Sequence, residues 1–359
     1  MNSLLSHIVE LSASDTSFSD VQVEQGQTVM CRRPDGWTES GYGVAEAEDI
    51  IPVMNALDRE WKLLLKQGGA IDRAIDLSHV RLRCNAYTTN GGTRIAITIR
   101  KLPLEALSME QLRLPAQVAQ FAAMPKGLLL LSGATGSGKT TTIAAIIKRI
   151  NETRAAHIVT IEEPIEYIFS RNKSIITQRE IGAPGSGADS VSFSAGLREA
   201  LRQRPDVIVV GEIRDADTAD TVLRAAESGH YIMATVHARN AVGAIQKMLS
   251  FFPNDTATRA ATLSSSLCGV ISQTLVPSVD NKRFVPALEI IINADSSTTA
   301  MIANVDKHRQ LEEKLKSGQM PGCVGVNTVL KKLVTEGVIS RKAAMAASYA
   351  PEELDILNK

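Results

Sequence analysis

The sequence predicts an α/β core preceded by a smaller α+β domain and followed by a mainly helical region. Three observations carry that prediction. From about Ala116, short apolar runs recur between helical patterns, as expected for a parallel sheet covered by helices on both faces. The first hundred residues instead mix alternating segments with a helical stretch, and beyond Ser296 the pattern is mostly helical. The expected boundaries are 1–102 for the first domain, 103–116 for a linker, 117–280 for the core and 281–359 for the C-terminal region.

In the first domain, Val21-Gln22-Val23-Glu24 alternates like a half-buried strand, and Pro34-Asp35-Gly36 reads as a turn. A helix is expected from about Ala45 to Lys66, where Ile50, Val53, Leu57, Trp61 and Leu64 recur at helical spacing. Val80 to Ala86 and Thr93 to Arg100 alternate on either side of Asn90-Gly91-Gly92, so two strands joined by a turn are expected. Pro103 and Pro115 bracket the linker, because a proline pushes the residue before it out of the helical region. In the core the apolar runs are Leu128 to Leu131, His157 to Ile161, Asp206 to Val210 and Tyr231 to Val236. Ligands of such sheets bind beyond the carboxyl ends of the strands, so the polar residues after each run are the candidates for chemistry. Phe284 to Ile291 reads as a final strand, and Ser296 to Lys359 as helices broken at Lys314 to Pro321 and at Gly337.

The composition narrows the function classes. A chain of 359 residues is long enough for two or three cores, and 39 basic residues balance 39 acidic ones. With 4% aromatic residues and no net charge, direct nucleic-acid binding is not expected. The apolar runs fall far short of the ~20 residues of a membrane-spanning helix. Met1-Asn2-Ser3-Leu4-Leu5 lacks the basic start of a signal peptide. A cytoplasmic protein is therefore expected, reaching the inner face of the membrane only through partners. Cys31, Cys84, Cys268 and Cys323 form no Cys-x-x-Cys pair, so four buried, reduced thiols are expected.

The segment Gly133-Ala134-Thr135-Gly136-Ser137-Gly138-Lys139-Thr140 follows the run ending at Leu131 and precedes the helical pattern from Thr141. Strand, glycine-rich loop and helix in that order form a phosphate cradle. Successive backbone N–H groups converge on one phosphate, Lys139 reaches the β- and γ-phosphates, and the Thr140 hydroxyl can hold magnesium. ATP and Mg are the expected cofactors. Glu212, after Val207 to Gly211, reads as a carboxylate that holds magnesium, in part through water. Glu162, Glu163 and Glu166 follow another core strand, where one of them could position or deprotonate the attacking water.

Together with Ser228-Gly229-His230, Thr235-Val236-His237-Ala238 and the arginine-rich stretch Leu197 to Asp206, these segments resemble the secretion and pilus motor ATPases, above all the PilT-type retraction motors. Phe251-Phe252-Pro253 and Ile271-Ser272-Gln273-Thr274-Leu275 are also similar and carry no chemistry of their own. The resemblance implies a RecA-like core, a PAS-like N-terminal domain and a homohexamer that works on an inner-membrane pilus or secretion platform protein. It implies Glu166 as catalytic base, Glu162 and Glu163 as supporting carboxylates, Glu212 as the magnesium-side acid and His237 near the γ-phosphate, with His230 secondary. It also implies that Arg83, Arg94 or Arg100 of the first domain reaches a nucleotide. Three positions depart from the PilT pattern: Ala134 and Thr140 stand where proline and serine are usual, and Glu163 where aspartate is usual. Ser297 to Asn304 lacks the arginines of the corresponding PilT segment, and Gly182 to Asp189 lengthens a loop. The implied activity is ATP hydrolysis coupled to pilus retraction, with conjugative or type IVB secretion of the DotB kind as the alternative and nucleic-acid translocation behind both.

Overall fold

The computed structural model of the chain describes residues 3–14, 18–33, 36–78, 80–102, 105–182, 188–280 and 283–354. By their contacts the residues divide into two units: Met1–Glu105 with Glu166–Ile168, and Ala106–Ile165 with Phe169–Lys359. Pro34 and Asp35 of the expected turn, Pro103 of the expected linker and most of the Gly182 to Asp189 loop lie outside the described residues.

The first unit contains helices α1 (Leu4–Ser14), α2 (Ala47–Leu57) and α3 (Trp61–Lys66) and strands β1 (Asp20–Glu24), β2 (Gln27–Arg33), β3 (Gly36–Ala45), β4 (Ile71–Asp76), β5 (Arg81–Thr89) and β6 (Arg94–Leu102). The strands form one antiparallel sheet in the order β3-β2-β1-β6-β5-β4. Its apolar face, with Val21, Val23, Cys31, Cys84, Ile97 and Ile99, packs with Leu4, Ile8, Ile50, Met54 and Trp61 of the helices. The single helix expected from Ala45 to Lys66 is in fact two. Asp58 leaves the helical region at φ −159° and accepts the Glu60 N–H at 2.8 Å, which ends α2 before α3 begins. The turn between β5 and β6 takes Asn90, Gly91 and Gly92 through three consecutive positive φ values, which only asparagine and glycine adopt readily.

The second unit carries the strands β7 (Gly127–Ser132), β8 (His157–Glu162), β9 (Ile175–Glu180), β10 (Val207–Val210), β11 (Tyr231–Val236), β12 (Leu267–Pro277) and β13 (Phe284–Ile292). Their order is β13-β12-β7-β11-β10-β8-β9, parallel throughout except for the antiparallel pair β12 and β13. The boundary expected at 280 thus falls between two strands of one sheet. Around the sheet lie helices α4 (Ala116–Ala122), α5 (Lys139–Thr153), α6 (Phe193–Ala200), α7 (Ala216–Glu227), α8 (Ala241–Ser250), α9 (Thr256–Ser266), α10 (Ser296–Ala303), α11 (His308–Lys316), α12 (Val326–Thr335) and α13 (Arg341–Ala347). Every residue of β7, β10 and β11 is buried, which is why those strands read as continuous apolar runs. One cluster packs α6 to α11 on one face of the sheet, and a second packs α4 and α5 on the other.

Of the four cysteines expected to be buried, Cys31 and Cys84 are, whereas Cys268 and Cys323 are half-buried; all four are free thiols. Burial pushes the Cys84 thiol up to about 12 and the Cys268 thiol up to about 11, so neither is a ready nucleophile.

Candidate nucleotide site

The loop from Gly133 to Thr140 leaves the carboxyl end of β7 and runs into the first turn of α5. Gly133, Gly136 and Gly138 take φ values of 143°, 77° and 83°. A Cβ at Gly133 would stand 2.3 Å from the Gln273 carbonyl oxygen, and one at Gly138 would stand 2.8 Å from Gln273 Nε2. Both positions therefore require glycine by space as well as by backbone angle. Ala134, Thr135 and Gly136 are exposed at the tip, Gly133 and Ser137 are buried, and Gly138, Lys139, Thr140 and Thr141 are half-buried. The Lys139 ammonium folds back over the loop and donates to the carbonyls of Gly133 (2.9 Å) and Ala134 (3.0 Å). The N–H groups of the first turn of α5 have no acceptor within the helix, and the buried Ser137 hydroxyl has no partner among the described residues. These donors fit an anion at the positive end of the helix dipole.

Strand register brings the other candidates to the same edge. Ser132 pairs with Val236, and Val210 pairs with both Ala234 and Ile161, so His237, Glu212 and Glu163 all emerge beside the loop's end of the sheet. They form a continuous row. Arg214 binds the Glu163 carboxylate and donates from Nε to Glu212 Oε2 at 2.9 Å, and His237 Nε2 lies 3.1 Å from Glu212 Oε1. Partial burial works against the Arg214 charge, but Glu212 and Glu163 outweigh it and lift its pKa above the ordinary value. The Thr235 hydroxyl donates to the Gly211 carbonyl at 2.5 Å and the Ile213 N–H to the Thr235 carbonyl at 2.9 Å, which fixes the ends of β10 and β11 together. Glu162 instead accepts from Thr160 Oγ1 (2.6 Å) and Gln178 Nε2 (3.2 Å), a role inside the sheet edge.

A hydroxyl at Thr140 and a carboxylate at Glu212 are hard oxygen donors suited to magnesium. Among the described residues no cluster of three side chains could hold a metal by itself.

Two expectations change, for His230 and Gln273. His230 lies at the amino end of β11, where its carbonyl accepts the Gly127 N–H at the start of β7. Because β7 and β11 run parallel, a strand length of about 20 Å separates it from the loop. Glu166, expected as the base, falls within the first unit, with its Oε1 3.8 Å from an Arg83 nitrogen. Gln273, read as having no chemistry, is a strut of the loop. Its Nε2 donates to the Ser137 carbonyl at 2.7 Å and its Oε1 accepts from Thr142 Oγ1 at 2.6 Å. No local motif announces Gln273, and Arg214 was hidden among ordinary surface charges.

In the first unit Arg83 pairs with Asp72 through two bonds of 2.8 and 3.3 Å, and Arg100 Nε lies 2.8 Å from Asp20 Oδ1. Arg83 and Arg100 are register partners on β5 and β6, and together with Asp72, Asn85 and Thr98 they line a polar cavity of about 240 Å³. Arg94 pairs with Thr89 at the other end of β6, about 20 Å along the strand from Arg100. The two arginines cannot serve one phosphate.

The profile of the family "Type II/IV secretion system protein" matches residues 48–345. The chain is 37% identical over 307 residues to a twitching motility protein of Neisseria gonorrhoeae, covering 85% of this chain and 79% of that one. It is 38% identical over 276 residues to the type IV pilus retraction ATPase PilT of Pseudomonas aeruginosa, covering 76% of each. Among solved structures it is similar to the pilus retraction motor PilT with bound ADP, with a TM-score of 0.86 at 33% identity over 99% of both chains. It also shares the fold of the ATPase DotB of Legionella pneumophila, with a TM-score of 0.81 at 24% identity over 94% of this chain and 93% of that one.

Proposed function

Because the chain belongs to the type II/IV secretion system protein family, we propose that it is a magnesium-dependent motor ATPase that works as a homohexamer on an inner-membrane pilus platform and drives pilus retraction. The observation that carries this reading is the glycine loop at the N-terminus of α5 beside the row Glu163, Arg214, Glu212 and His237. The loop binds the phosphates of ATP, Thr140 and Glu212 hold the cation, and the cation offsets the charge on the phosphates. His237, oriented by Glu212, senses the terminal phosphate. Glu166 acts as general base. Arg94 or Arg100, or Arg83 beside it, supplies positive charge to the nucleotide of this or a neighbouring subunit.

Phosphate release by the full chain tests the activity. Lys139→Ala is expected to abolish turnover, and Glu166→Gln to lower kcat about 10²-fold while nucleotide still binds. Unchanged kcat in Glu166→Gln would move the base to Glu163. The task is tested by imaging labelled pili in a deletion strain, where over-piliated cells unable to retract are expected. The absence of charged residues from α10, Ser296–Ala303, favours a second reading as a secretion or conjugation motor. Normal retraction together with a transfer or export defect would establish that reading instead.

A further inference from the structure

Glu289 of β13 is 1% exposed, and its carboxylate is met by donors from two helices and from the segment after α13. Oε1 accepts the Ala241 N–H, the first of α8, at 2.8 Å. Oε2 accepts the Val326 N–H, the first of α12, at 3.3 Å and the Tyr349 hydroxyl at 2.7 Å. Two helix N-termini therefore converge on one buried carboxylate, and their positive dipole ends offset the cost of burying it. The α8 contact lies four residues past His237. Asn240, between them, caps α8 by accepting the Gly243 N–H at 2.6 Å, so the segment from His237 to Ala241 is fixed at both ends, by Glu212 and by Glu289. On the other side, Tyr349 follows α13, and the Lys316 ammonium lies over its ring at 5.2 Å while also reaching Glu312 and Glu353. The buried carboxylate thus joins the histidine-bearing segment to the C-terminal helices.

We propose that Glu289 is a positioning residue for hydrolysis: it holds His237 in place through the N-terminus of α8, and it is the point at which the C-terminal helices act on the nucleotide step. This rests on the ATPase reading above. None of these three side-chain bonds of Glu289 reaches the loop at Gly133 to Thr140, so its loss is expected to affect turnover more than binding.

The test measures kcat and KM for ATP with the full chain. Glu289→Gln keeps the volume but replaces an acceptor oxygen by a donor, and is expected to lower kcat about tenfold while KM stays within about threefold. Tyr349→Phe, which removes one donor, is expected to lower kcat about threefold. In a His237→Ala background neither change lowers kcat further, because the route runs through His237. Multiplicative losses in the double variants, a full-activity His237→Ala, or undiminished kcat in folded Glu289→Gln and Tyr349→Phe would overturn the proposal. If Glu289→Gln fails to fold, the Tyr349→Phe pair decides. A wild-type chain without phosphate release would instead reject the ATPase reading itself.

Discussion

Replacing Gln273 by leucine tests whether the nucleotide loop is held from β12. The amide is 5% exposed and makes two hydrogen bonds, to the Ser137 carbonyl and from the Thr142 hydroxyl. Leucine is close in volume, so the cavity cost is small and the loss is that of two buried polar groups left without partners. At about 1–3 kcal/mol each, the sum is roughly 2–6 kcal/mol of stability. Ser137 lies in the loop and Thr142 in the first turn of α5, so much of this loss is local: the loop spends part of its time out of the binding conformation. If half the sum is lost there, nucleotide affinity falls roughly 5- to 160-fold. Titration with a fluorescent ADP analogue reads the affinity, and urea unfolding of the same samples reads the stability. A folded Gln273→Leu variant with wild-type affinity and an unchanged unfolding midpoint would refute the strut.

Gly138→Ala places a Cβ against Gln273 at a backbone angle alanine rarely adopts, so nucleotide binding should be lost in the same titration even though Lys139 is intact. Of Arg94→Ala and Arg100→Ala, one should cut kcat strongly and the other leave it unchanged at a cost within about 0.5 kcal/mol of stability, because the two stand at opposite ends of β6; full activity in both single variants and in the double would reject a role for either. Burial raises the Glu289 carboxyl above its ordinary value, against the lowering by the Ala241 N–H, the Tyr349 hydroxyl and the Val326 N–H. The folded chain then keeps a proton that the unfolded chain has released, so this group's contribution is most favourable below the unfolded value of about 4.3 and is lost as pH rises through the raised folded value. Urea unfolding from pH 4 to 8 should therefore show the wild type losing stability relative to Glu289→Gln as pH rises, and a constant difference would reject the shift.

Much of the site was readable because its chemistry is local. The phosphate loop needs its glycines, lysine and threonine within eight positions, and β7, β8, β10 and β11 stand out because strands buried on both faces read as apolar runs. The strands that escaped notice are those whose residues do not form an apolar run, including the largely buried β12, where Ser272, Gln273 and Thr274 interrupt the apolar side chains. β9 is an edge strand with no fully buried residue, and β4, at the edge of the first sheet, sets Asp72, Arg73 and Asp76 among its apolar residues with only Ile71 buried. Thr93 to Arg100 announced β6 but not that its two arginines sit at opposite ends of it, a matter of strand length rather than residue type.

The residues near one another in the chain thus determined the phosphate loop, the buried strands and the polar positions after them. Near neighbours decide these, through backbone angles and the burial period. Which of the charged and polar groups meet was decided by tertiary structure alone. Gln273 reaches Ser137 across 136 positions and Arg214 reaches Glu163 across 51, because the sheet orders its strands β12-β7-β11-β10-β8 and not as the chain does. The same order removes His230 from the site, since the end of a parallel strand at which a residue sits is fixed only when its neighbours are hydrogen-bonded beside it.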